Sequence, residues 1–154
     1  DDKIDTGAMI LSKETIIEKE ENAGMLHDRL MHIGSETVVA TLNLIESNKV
    51  NTTIQEDNEG IKTAYKLNKE NCKIDWNQSA ENIHNLIRGL SPYPAAWCYF
   101  KDNSTEYTVK IYELKIAVQN GFIEILSLQF PGKKRMKTFE LLNGITFSEN
   151  AIVA

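Results

Sequence analysis

Residues 73–97 read KIDWNQSAENIHNLIRGLSPYPAAW, and this stretch spells one short helix with a firm stop. Ser79 is a helix N-cap, and Glu81 places negative charge in the first turn, where the helix dipole favours it. Ile83, Leu86, Ile87 and Leu90 fall at i, i+3, i+4 and i+7, so one apolar stripe faces a core. Gly89 reads as the C-terminal cap, and Pro92 and Pro94 forbid further helix. Trp76 before the helix and Tyr93 and Trp97 after it are large enough to clamp it onto a neighbouring layer.

Working outward, residues 4–11 read as a strand. Two helices are expected next. One starts near Asn22, with Leu26, Leu30 and Ile33 inward and Gly34 as its stop; the other is capped by Ser35, with Val38, Leu42 and Ile45 inward. A strand and two helices are too little for an independent core. Residues 48–72 are polar and without period, as an interdomain linker would be. After Trp97 the pattern turns to strands. WCYF is one, and DNST is a turn. Tyr107, Val109 and Ile111 alternate with polar neighbours in a half-buried strand. Asn120-Gly121 signals a hairpin between KIAVQ and FIEILSLQF, and Phe139 to Leu142 form a short helical turn.

Composition sets bounds. The 154 residues hold one ordinary domain or two small ones. No apolar run approaches the ~20 residues of a membrane span. Cys72 and Cys98 form no motif, which fits two reduced thiols in the cytoplasm, and no signal peptide is evident. The chain does not begin with Met, as a fragment or processed product would not. Residues 1–71 carry 8 Lys/Arg against 14 Asp/Glu, whereas residues 72–154 carry 9 against 8. The net charge of −5 excludes a general nucleic-acid coat, yet the second half can present a local basic face.

Three segments carry a family resemblance. IDWNQSAENIHNLIRGLSPYPAAW resembles the opening of the C-terminal domain of methionyl-tRNA formyltransferases. GKKRM (Gly132 to Met136) followed by FELLNG (Phe139 to Gly144) resembles that domain's closing signature. IDTGAMIL, from Ile4, resembles the last catalytic strand of the preceding formyltransferase domain. The resemblance implies an α+β chain: a partial tail of a Rossmann-like α/β formyltransferase domain (strand plus two helices) over 1–47, a linker over 48–72, and a small OB-fold-like β-barrel with one docked helix over 73–154. Family members usually have roughly two dozen more residues between Lys110–Glu113 and the strand from Leu114 onward. Either this protein lacks them or the sequence joins two segments; the absence of turn residues at Glu113–Leu114 favours the second.

The chemistry follows from the resemblance. Asp5-Thr6-Gly7 also matches an aspartic protease, but that reading needs a second copy or a homodimer of short β chains, and only one DTG is present. As an isolated motif, it is a turn Asp before a conformationally free Gly. In the resembled enzymes the Asp belongs to a catalytic trio with an upstream Asn and His. The α-amino group of initiator methionyl-tRNA attacks the formyl carbon of 10-formyltetrahydrofolate. Asn and His stabilise the oxyanion, and the carboxylate accepts the proton of the attacking amine through water or the His. The Asn and His are not in these residues, so the chain by itself is expected to be inactive. Asp2, Lys3 and Ile4, with Asp5, are expected to touch the folate pterin through backbone groups, against the alternative of an exposed acidic strand end.

Lys133, Lys134 and Arg135, with Lys137, make the one dense basic cluster. Such runs are commonly solvated faces; on a barrel edge in a tRNA-modifying enzyme they become phosphate contacts. Lys66, Lys69 and Arg88 extend the track, although Arg88 could equally bond the last carbonyls of its own helix. The phosphate contacts would position the tRNA without reading its sequence. His27 and His32 are poorly spaced for a metal, His84 lies beside the apolar stripe, and no metal is assigned. Trp76, Tyr93, Trp97 and Tyr99 read as core packing rather than base-stacking platforms. The partners expected are initiator methionyl-tRNA and no membrane, for a monomeric cytoplasmic enzyme. Another folate-dependent formyltransferase, acting on an amino-sugar nucleotide, and a non-catalytic RNA-binding module are the rival readings.

Overall fold

The computed structural model describes residues 6–55, 60, 62, 64–117 and 122–154. The chain is mixed α+β and divides into two compact units, one of residues up to Lys19 with Met25–Tyr65, the other of Glu20–Gly24 with Lys66–Ala154.

Helix α1 runs unbroken from Ala23 to Glu46, correcting the expectation of two helices parted at Gly34. The stop signal is weak. A mid-helix Gly costs only about 1 kcal/mol, and the Ser35 hydroxyl donates to the His32 carbonyl of its own helix (2.7 Å) instead of capping a new one. The side chains expected inward do not form a buried stripe: Leu30, Val38, Leu42 and Ile45 are 46–59% exposed. The strand expected over 4–11 reduces, among its described residues, to a single bridge between Met9 and Thr53, supported by a Gln55 side-chain bond to the Gly7 carbonyl (2.6 Å).

Helix α2 spans Ala80–Leu90, and Ser79 caps it by accepting from the Asn82 N–H (3.1 Å). Ile83, Ile87 and Leu90 are buried, as their spacing predicts. Its C-cap is Ser91, so Gly89 lies inside the helix rather than ending it. Tyr93 is 84% exposed and clamps nothing, a second correction. The helix is held instead by the buried Ile74 and Trp97 around it.

One antiparallel sheet follows, in the order β4-β3-β2-β1-β5. Its strands are β1 Ala96–Asp102, β2 Thr105–Ala117, β3 Phe122–Gln129, β4 Met136–Lys137 and β5 Ile152–Val153; α3, Thr138–Leu142, follows β4. Asn103 and Ser104 join β1 to β2, with Asn103 at φ 52°. The Asn120-Gly121 hairpin signal lies outside the described residues, but β2 and β3 do pair up to Ala117 and Phe122.

β2 runs through Glu113–Leu114, the point at which two segments were expected to join. Register against β3 shifts on both sides of Glu113, a β-bulge. The bulge resets the alternation. Val109 and Ile111 face the core before it and Leu114 after it, while Glu113 is turned out. Without the slip, the period of two would drive the Glu113 carboxylate into the core. The core joins these residues to Ala96, Cys98, Ile83, Ile87 and Leu90.

Candidate nucleic-acid interface

The sequence-predicted basic cluster sits where β3 turns into β4, and the structure sorts its four cations into two kinds. Arg135 and Lys137 are tied down. Lys137 Nζ donates to Glu113 Oε2 (2.6 Å), and the Arg135 guanidinium lies 3.9 Å from the same oxygen. Arg135 Nε also donates to the buried Ser127 hydroxyl (2.8 Å), and its guanidinium covers the Tyr112 ring at 4.6 Å. These two side chains brace the bulge.

Lys133 and Lys134 are exposed, and among the described residues neither ammonium has an anionic partner. Their loop is nevertheless fixed. Gly132 supplies the left-handed turn at φ 71°. Gln129 Nε2 donates to the Lys133 carbonyl (2.7 Å), and Tyr112 Oη donates to Gln129 Oε1 (2.6 Å). Two free ammonium groups on a braced loop suit a phosphate backbone, because little loop entropy remains to be lost on contact.

Arg88 is otherwise engaged. Its Nε donates to Asn85 Oδ1 (2.8 Å) and its Nη1 to the Glu21 carbonyl (3.0 Å). Through the Glu21 bond it ties residues 20–24 to α2. Lys66 and Lys69 are exposed in the segment leading to Cys72. Lys69 approaches the Trp97 ring at 5.2 Å, and Lys73, absent from the sequence reading, approaches it at 5.7 Å and the Tyr99 ring at 4.8 Å. Trp97 itself is only 9% exposed, in keeping with core packing.

Asp2, Lys3, Ile4 and Asp5 lie outside the described residues. Among those described, no group of three or more His, Cys, Asp or Glu side chains could hold a metal, and no helix is long and apolar enough to cross a membrane. The Cys98 thiol is pushed up to about 11 by burial, partly opposed by the charge of Lys73.

The sequence has known relatives. Residues 66–117 match the family model "Formyl transferase, C-terminal domain". Nearly the whole chain, 99%, aligns with a methionyl-tRNA formyltransferase of Flavobacterium johnsoniae at 62% identity. The chain is similar to the C-terminal part of methionyl-tRNA formyltransferases. A Flavobacterium psychrophilum member is 55% identical over 99% of the chain, and a Bacteroides fragilis member 39% identical over 96%. The chain spans about half the length of these methionyl-tRNA formyltransferases, 53–55%, and corresponds to their C-terminal part. The first alignment runs over 174 positions against the 154 residues of the chain, so about twenty are filled only in the relative.

Proposed function

We propose that this chain is the C-terminal part of an enzyme that transfers a formyl group from 10-formyltetrahydrofolate to the α-amino group of initiator methionyl-tRNA. The observation that carries the reading is 62% identity, sustained over 99% of the chain, to a protein named for that activity. Residues 1–47 then end a Rossmann-like catalytic domain, 48–72 are the linker, and 73–154 form an OB-fold-like domain that holds the tRNA. The exposed apolar side chains of α1 support the first assignment, since a helix from a sheet-covering layer needs a sheet to cover them.

In this scheme the amine, having lost one proton, attacks the formyl carbon; the new C–N bond replaces the bond to the folate nitrogen, which leaves with a second proton from the amine. Asp5 accepts the first of these protons and keeps the neighbouring His oriented, while Asp2, Lys3 and Ile4 hold the pterin with backbone groups. Lys133 and Lys134 contact tRNA phosphates. The enzyme works as a cytoplasmic monomer.

Joining this chain to the N-terminal part of the Flavobacterium johnsoniae relative gives the test. The chimera should formylate methionyl-tRNA, and Asp5→Asn should abolish turnover with little change in tRNA affinity. A folded chimera that ignores methionyl-tRNA but formylates an amino-sugar nucleotide would overturn the reading, as would full activity of the Asp5→Asn form.

A further inference from the structure

A second cationic surface is built around Trp97. It begins with the Asn-rich turn before Cys72, which is locked by a reciprocal pair of bonds. The Asn68 N–H donates to Asn71 Oδ1 (2.8 Å) and the Asn71 N–H to Asn68 Oδ1 (2.9 Å), while Asn71 Nδ2 donates to the Lys66 carbonyl (2.9 Å). The locked turn presents the Lys69 carbonyl to Trp97 Nε1 (2.7 Å) and sets the Lys69 ammonium over the ring.

From the sheet side comes Lys110. It is the direct cross-strand partner of Trp97, so the two side chains stand on one face, the face away from Cys98 and Val109. Its ammonium rests on the Pro94 carbonyl (3.2 Å). Lys69, Lys110 and Trp97 line a cleft of about 280 Å³, and among the described residues no carboxylate stands in its walls. Lys73 belongs to the adjoining cleft, where Glu70 and Asp75 are also found. Asp75 is held below the usual carboxylate range mainly by hydrogen bonds from Gln78 and Asn77, with a smaller contribution from Lys73. The charge of Lys73 is thus partly compensated, whereas Lys69 and Lys110 form no ion pair among the described residues.

We propose that this cleft is a phosphate seat, with Lys69 and Lys110 as its two cations and Asn68 and Asn71 as positioning residues. The occupant is a backbone phosphate of the RNA, so the inference rests on the tRNA-binding reading above. An ammonium on an aromatic face and another on a carbonyl are weakly held donors, ready to exchange those contacts for an anionic oxygen. The carboxylate-free wall removes the repulsion that would oppose the phosphate.

Two measurements on the chain test it. The first is the salt dependence of methionyl-tRNA binding. Lys69→Ala/Lys110→Ala should lower the slope of log K against log salt by about 0.9, one phosphate's worth. Asn68→Ala should weaken binding several-fold at unchanged slope, since it leaves both charges present but unplaced. The second uses Trp76→Phe, which leaves Trp97 as the lone indole. Its emission should change on adding tRNA, as Lys69 is drawn off the ring. An unchanged slope in the Lys69/Lys110 variant, beside a lowered slope in Lys133→Ala/Lys134→Ala, would overturn the seat and leave the tRNA reading standing. Absence of tRNA binding in every folded form would sink both. A Trp97 response to millimolar inorganic phosphate but none to tRNA would also overturn the proposal, by making this a free-phosphate site.

Discussion

Two double substitutions in the basic cluster remove the same formal charge and should behave oppositely. Lys133→Ala/Lys134→Ala deletes two ammonium groups that have no anionic partner among the described residues. If each meets one phosphate, the slope of log K against log salt falls by about 1.8. Between 50 and 200 mM salt, the unmodified chain then loses roughly tenfold more tRNA affinity than the variant does. Folding stability should hardly move, because among the described residues neither side chain makes a protein contact through its charge. Arg135→Ala/Lys137→Ala deletes cations already committed to Glu113. It removes the bond to the Ser127 hydroxyl and the cover over Tyr112. A hydrogen bond of about 1 kcal/mol, a cation–ring contact of about 0.5–1 and a half-exposed ion-pair pair worth at most about 1 give a loss of roughly 2 kcal/mol. The slope should change by less than about 0.5, since the cations removed were already neutralised. Fluorescence anisotropy of labelled methionyl-tRNA at four salt concentrations, beside urea melts, reads both quantities. Equal slope changes in the two variants would refute the sorting of the cluster by Glu113.

Three further outcomes follow from the fold. Ile87→Ala, at a side chain 1% exposed between α2 and the sheet, should cost about 2–5 kcal/mol in urea denaturation. Ser79→Ala removes the acceptor for the Asn82 N–H and should cost about 1 kcal/mol, with Ser79→Asp restoring it. Cys98, whose folded thiol is raised to about 11 from 9.0, should stay unalkylated by iodoacetamide at pH 8 until the chain unfolds. Because the unfolded thiol ionises first, the stability that Cys98 contributes is intact below pH 9 and is lost as pH rises towards 11; Cys98→Ala should flatten that part of the curve.

Local signals proved legible and long-range ones did not. Ser79, the stripe Ile83–Ile87–Leu90 and the prolines specify α2 because cap, face and stop all lie within one short segment. Gly34 and Ser35 mimic the same grammar in α1, but a glycine with helical torsions and a serine bonded to His32 leave the ladder intact. The two-residue strand Ile152–Val153 exists only through pairing with Phe100 and Lys101, some fifty positions away. No local pattern announces such a partner. The basic cluster was visible as composition, yet which of its members are free depends on Glu113, more than twenty residues upstream. Lys110 looked like one polar residue in an alternating strand. Only the register against Trp97 gives it a role, and register is not written in either strand alone. The catalytic assignment at Asp5 rests on sequence similarity.

The bulge at Glu113 has a bearing on how this chain tolerates change in length. Along a regular strand, a single inserted residue inverts every side chain beyond it, so additions are purged wherever one face is packed. At Glu113 the inward phase has already been handed from Ile111 to Leu114. A loop spliced in there leaves Tyr107–Ile111 and Leu114–Ile116 each with its own fixed orientation, whatever the number of residues between them. The strand is in effect two half-strands that meet at a joint, with Arg135 and Lys137 holding the joint shut.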